Sequence, residues 1–146
     1  MNKIKFKITT PEKVVLEKEI DQVTLPTRAG EITILPDHVP IISMVAPGIL
    51  EAKTGEEISP MAISGGFLEF HDNELTILAD MAERAEDIDL EEAEKARERA
   101  EKMMQEERKS LDEEQFASVV SQIESNLARI RVAKKYRPRR SGVLKE

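Results

Sequence analysis

The sequence predicts an α+β protein: an N-terminal antiparallel β-sandwich over residues 1–86, a C-terminal antiparallel helical hairpin over 87–137, and a flexible basic tail over 138–146. Three observations predict it. Apolar residues recur at every second position through the first 80 residues. From about residue 83 they recur at every third or fourth position, and no Pro or Gly stands between Gly66 and Pro138.

The strands come first. Ile4, Phe6 and Ile8 alternate with Lys3, Lys5 and Lys7, and Ile32 and Ile34 alternate with Glu31, Thr33 and Leu35. Leu68 and Phe70 lie opposite Phe67, Glu69 and His71, and Leu75 and Ile77 lie opposite Thr76 and Leu78. Successive strand side chains point to opposite faces, so each run reads as a half-buried strand. Turn residues punctuate the region at Thr10-Pro11-Glu12, Thr27-Arg28-Ala29-Gly30, Pro36-Asp37, Pro47-Gly48, Lys53-Thr54-Gly55-Glu56 and His71-Asp72-Asn73-Glu74. Short strands at that spacing imply a sandwich or flattened barrel. Ser64-Gly65-Gly66-Phe67 opens onto no helix, so its diglycine predicts a bulge or a close backbone approach where strands turn.

Two helices follow, at 88 to about 109 and 112 to about 136. Ala93, Ala96, Ala100 and Met103 form the stripe of the first; Phe116, Val120, Ile123, Leu127 and Ile130 form that of the second. Asp89 with Glu92, and Ser110 with Glu113, are the expected capping boxes, and Ile88 is placed to staple against Ala93. The short connection around Lys109 to Asp112 folds the pair back on itself. A seam made mostly of alanine buries little area, so the hairpin is expected to be loosely held and to move as a unit about a joint at Glu83 to Asp87.

Composition narrows the function. There is no Cys and no Trp, which excludes a disulfide framework and Cys-ligated metal sites and fits a reducing compartment. No signal peptide and no membrane-spanning run is expected. Net charge is −7, unevenly spread: residues 1–82 hold 7 basic and 13 acidic side chains, 83–114 hold 7 and 14, and 115–146 hold 8 and 2. The acidic majority argues against nucleic acid as a partner. The basic cluster Arg129, Arg131, Lys134, Lys135, Arg137, Arg139 and Arg140 reads either as a solubilising helix end or as an arm that docks on an acidic protein surface or anionic phosphate.

Asp37-His38, between Pro36 and Pro40, is the most suggestive pair for chemistry. Adjacent residues on an extended chain diverge and no nucleophile accompanies them, so the pair reads as a corner in the chain. His71 reads as a solvated turn residue, and the carboxylates of 83–114, interleaved with Lys and Arg, as a solvated helix face. None of the nucleotide, hydrolase or metalloprotease motifs is present, and no enzyme is expected.

Gly30-Glu31-Ile32, Ile34-Leu35-Pro36-Asp37-His38, Pro40, Pro47-Gly48, Ser64-Gly65-Gly66-Phe67-Leu68-Glu69, Leu75-Thr76-Ile77-Leu78-Ala79-Asp80, Ala82-Glu83 and Ile88-Asp89 occur in an order that resembles the epsilon subunit of bacterial rotary ATP synthases, over residues 3–135. The resemblance implies a non-catalytic central-stalk subunit, peripheral to the cytoplasmic face of the bacterial cell membrane, in a proton- or sodium-translocating complex. Its sandwich would bind the gamma subunit and rest on the c-subunit ring, with Glu31 facing the ring and His38 the stalk. Its helices would inhibit ATP hydrolysis by engaging the catalytic beta subunits, with Arg129, Arg131, Lys134 and Lys135 as the regulatory arm.

Some members of that family bind ATP through Ile-Asp-x-x-Arg-Ala. Ile88, Asp89 and Ala93 match and Arg99 lies two turns on, but the arginine position holds Glu92, whose carboxylate would repel a triphosphate; no cofactor is therefore expected. The alternative reading is a free β-sandwich adaptor whose coiled-coil arm binds an unrelated acidic protein.

Overall fold

Alternation at period two is realised in ten strands. In the computed structural model, which describes residues 2–136, these are β1 (Ile4–Thr9), β2 (Val14–Ile20), β3 (Gln22–Thr27), β4 (Gly30–Ile34), β5 (Ile41–Met44), β6 (Gly48–Thr54), β7 (Glu57–Ser64), β8 (Phe67–His71), β9 (Glu74–Leu78) and β10 (Met81–Arg84). They form two five-stranded sheets, ordered β2-β1-β9-β8-β5 and β10-β7-β6-β3-β4. All ladders are antiparallel except β1 with β9, which run parallel. That one parallel pair lets the first strand enter the sheet beside the ninth.

The inward positions are those the alternation marks. Ile4, Phe6 and Ile8 pack with Leu68, Phe70, Leu75 and Ile77 of the same sheet against Val23, Leu25, Leu50, Met61 and Ile63 of the other, all essentially inaccessible. Gly66 has φ +93°, and a Cβ there would overlap the Leu78 carbonyl oxygen. The diglycine is thus a close backbone approach, as its sequence predicts.

After β10 a 3₁₀ turn (Ala85–Asp87) leads into α1 (Leu90–Glu107), and a second (Arg108–Ser110) connects it to α2 (Glu113–Tyr136). The expected joint at 83–87 is therefore strand and turn, with Ala85 and Ile88 buried. Asp89 caps α1, its Oδ1 accepting from the Glu92 amide at 3.1 Å. The second box is displaced from Ser110 and Glu113: the Asp112 amide donates to Gln115 Oε1 at 3.0 Å, and the Gln115 amide donates to Asp112 Oδ1 at 2.7 Å. Ser110 instead donates its hydroxyl to the Glu107 carbonyl and finishes the preceding turn.

α1 and α2 pack against each other, with Ala93 and Ala100 buried on the first and larger residues such as Val119 and Ile130 buried on the second. Met103 and Phe116, expected in the seam, are substantially exposed. α2 also lies on the outer face of the β10-β7-β6-β3-β4 sheet. There Ala62, Ala85, Ile88, Ala128, Val132 and Ala133 form a second buried cluster that shares no residue with the sandwich core. Small side chains on both partners permit the close approach, and Ser125 donates its hydroxyl to that of Ser64 at 2.8 Å beside them. Residue 137 and the tail at 138–146 lie outside the described residues.

Candidate functional site

The sandwich presents two outer faces with different chemistry. On the β2-β1-β9-β8-β5 sheet, strand register places Met44, Phe67, Leu78, Thr9 and Val14 in one row across all five strands. Four of these five are large apolar residues left about half exposed. Ile42, in the next row, is 73% exposed, and Leu35 and Val39 on the β4–β5 corner are exposed as well. Farther along the strands the rows turn polar, with His71, Glu74, Lys5 and Glu19 aligned. The row, interrupted only by Thr9, is an apolar ladder rimmed by charge, the chemistry that protein-binding surfaces carry. Sequence reasoning missed it because Phe67, Leu78 and Met44 lie far apart in the chain, and only the register brings them into one row.

The corner at 35–40 is fixed by Asp37, which has φ +69°. Its Oδ1 accepts from the side-chain amides of Asn2 at 3.0 Å and Asn73 at 2.9 Å, and its backbone amide donates to Asn73 Oδ1. The Asn73 hydrogen bond first, and that of Asn2 next, hold the Asp37 carboxyl below its ordinary value by favouring the charged form. His38 points away from Asp37: its Nδ1 donates to the Val39 carbonyl at 2.7 Å, and its ring meets Phe70 edge-on at 5.9 Å. Asp37 and His38 form no dyad. Glu31 is exposed on edge strand β4, and it lines a depression of about 440 Å³ with Glu124, Leu127 and Arg131 of α2.

The other outer face carries the helices, and Arg129 sits at their junction with the sheet. Its side chain is only 13% exposed. Nε and Nη2 donate to Glu83 of β10 at 2.6 and 3.4 Å, Nη2 contacts Glu92 of α1 at 2.8 Å, and Nη1 donates to Asn126 at 2.9 Å. Burial alone would lower the guanidinium pKa, but the hydrogen bonds and charges of Glu83 and Glu92 outweigh it and raise the pKa.

Arg129 is therefore no part of a freely projecting basic arm. Lys134 lies 3.5 Å from Glu94 of α1, and Arg131 is exposed. Of the residues matching the nucleotide signature, Ile88 and Ala93 are buried and the Asp89 carboxylate caps α1, while Arg99 is exposed. The Glu92 carboxylate, at the position the signature gives to arginine, is paired with Arg129 at 2.8 Å. Among the described residues no group of three or more His, Asp or Glu is arranged to hold a metal, and no helix is long and apolar enough to cross a membrane.

This geometry coincides with a known family. The model described as "ATP synthase, Delta/Epsilon chain, beta-sandwich domain" matches residues 3–85. The ATP synthase epsilon chain of Nitratidesulfovibrio vulgaris is 40% identical over 127 residues, 87% of this chain and 92% of that one. That of Syntrophobacter fumaroxidans is 39% identical over 133 residues, 91% and 97% of the two chains. A chain in the structure of Euglena gracilis mitochondrial ATP synthase (OSCP/F1/c-ring) superposes with a TM-score of 0.72 at 28% identity, covering 86% of this chain and 78% of that one. A chain of the Tetrahymena thermophila mitochondrial ATP synthase central stalk and c-ring shares the fold at a TM-score of 0.51 and 19% identity, over 59% and 69%.

Proposed function

Because the chain belongs to the ATP synthase epsilon family and is a non-catalytic subunit of the F-type central stalk, we propose that its sandwich couples the stalk to the rotor ring while its helices restrain ATP hydrolysis. The observation that carries this reading is the division of labour between the two outer sheet faces. One bears the Met44–Phe67–Leu78 apolar ladder, which no described segment of this chain covers, and it suits a stable grip on a gamma subunit. The other is covered by α2 through alanines, a contact that a partner can replace at modest cost.

In this reading Glu31, on the exposed β4 edge, faces the c-ring, and the Asp37-His38 corner supports the stalk contact. The subunit is held at the membrane through the ring. The arm leaves the sheet, and its cations Arg129, Arg131, Lys134 and Lys135 engage acidic residues of the catalytic beta subunits. Truncation after Glu86 is the test. Hydrolysis by the reconstituted complex should rise while the sandwich still co-purifies with gamma. Unchanged hydrolysis overturns the inhibitory role, and failure of the intact chain to co-purify with gamma overturns the proposed grip of the sandwich on that subunit.

A further inference from the structure

We propose that Arg129 is the latch that holds the arm on the sandwich, closed by Glu83 and Glu92, and that the same guanidinium is surrendered to an acidic partner surface when the arm leaves. The second half rests on the inhibitory reading above; the first does not.

Three elements meet at this one side chain. Glu83 belongs to the sandwich, Glu92 to the first turn of α1, and Arg129 to α2. All three guanidinium nitrogens are engaged, two of them forked onto Glu83. A planar fork fixes direction as well as distance, so the contact sets how α2 lies on the sheet.

Glu92 gives a second indication. It occupies the capping-box position three residues after Asp89, where a Glu side chain would ordinarily reach back to the cap amide. Among the described hydrogen bonds only the Asp89 half of that box forms, whereas Asp112 and Gln115 close theirs from both sides. The Glu92 carboxylate is turned across to α2 instead, which ties the start of α1 to the same latch.

Charge gives the latch its exclusivity. Two carboxylates around one guanidinium leave the closed cluster at −1, so it has no attraction for a further anion or an acidic surface. With Nε and Nη2 forked onto Glu83, Nη2 shared with Glu92 and Nη1 on Asn126, no edge of the guanidinium is left for a third carboxylate, so the fork must leave Glu83 before a partner's carboxylate can take its place. Docking on the sandwich and pairing of Arg129 with a partner therefore exclude one another.

The chain has no cysteine, so Ala128→Cys, at a position buried in the arm–sheet cluster, gives a single thiol whose labelling rate reads the undocked fraction. In that background Glu83→Gln should accelerate labelling about tenfold, and Glu92→Gln, half exposed and more screened, about threefold. Both Gln variants are isosteric, and the melting of the sandwich should not move. An unchanged labelling rate in the double variant overturns the latch.

In the assembled complex Glu83→Gln and Glu92→Gln should inhibit hydrolysis more strongly than the parent. Arg129→Gln should label as fast as they do without that gain. An equal gain from Arg129→Gln overturns the handover to an acidic surface. Faster labelling with no change of inhibition in any variant upholds the latch and overturns the inhibitory role.

Discussion

Ile88→Ala separates the arm from the sandwich energetically. Ile88 is 1% exposed and packs in the cluster of Ala62, Ala85, Ala128, Val132 and Ala133, none of which belongs to the sandwich core. The substitution removes three buried carbons, about 2.4 kcal/mol at about 0.8 kcal/mol per methylene, and about 4 kcal/mol if the alanine-lined space does not collapse. At about 1.4 kcal/mol per decade, the ratio of undocked to docked arm should rise between about 50-fold and about 700-fold. Hydrogen exchange resolved by residue reads this directly. Amides of α2 should lose protection by that factor, while those of Leu50 and Ile63 in the sandwich core should keep theirs. Equal loss in both regions would show a single cooperative unit, and no loss in either would show that the alanine cluster holds nothing; each result refutes the reasoning.

Three further outcomes are expected. Phe67→Glu with Met44→Glu places charge in the middle of the apolar ladder and should weaken co-purification with gamma at least tenfold, without moving the melting temperature, because both side chains are already exposed. Gly66→Ala forces a Cβ onto the Leu78 carbonyl at a positive φ and should destabilise the sandwich by about 2 kcal/mol or more in denaturant titration. Asp37→Asn tests the corner by pH. The folded-state pKa of Asp37 is depressed below 3.8, so its stabilisation is present above that value and fades as pH falls through the folded pKa. The gap in stability between parent and variant should be full at pH 6 and shrink only as pH falls below 3.8, and Asn tolerates the left-handed backbone there.

The strands were legible because one face of each is buried and one is wet, which writes the period into the sequence: Ile4, Phe6, Ile8, Leu75 and Ile77 could be placed inside from alternation alone. Helix ends were half legible. Asp89 was found, but Ser110 and Asp112 are both good caps two residues apart, and only the 3₁₀ turn that consumes Ser110 decides between them. The seam of α2 was misjudged in part because that helix has two buried faces, one toward α1 and one toward the sheet. A single-stripe reading selects Phe116 and overlooks Ala128 and Val132. Glu83 and Arg129 are 46 residues apart, and helical spacing rules reach only three or four. Nothing local distinguishes Arg129 from Arg131, yet one is a buried junction and the other is exposed.

The proposed function asks a single small chain to serve both as a grip and as a switch, and the two clusters are suited to that division. Side chains of the sandwich core are large: Phe6, Phe70, Leu25, Leu50 and Met61 are all buried within it, and removing any one exposes much apolar area. The arm–sheet cluster buries four alanines with one Ile and one Val, so its apolar contribution is a small fraction of that core. Undocking therefore uncovers on the sheet chiefly the small side chain of Ala62 and the partly buried Ile49. The ladder of Met44, Phe67 and Leu78 lies on the opposite sheet, with the whole core between it and the arm. Movement of α2 consequently leaves the Met44–Phe67–Leu78 face unaltered, which is what the proposed function requires of a switch on one side and a clamp on the other.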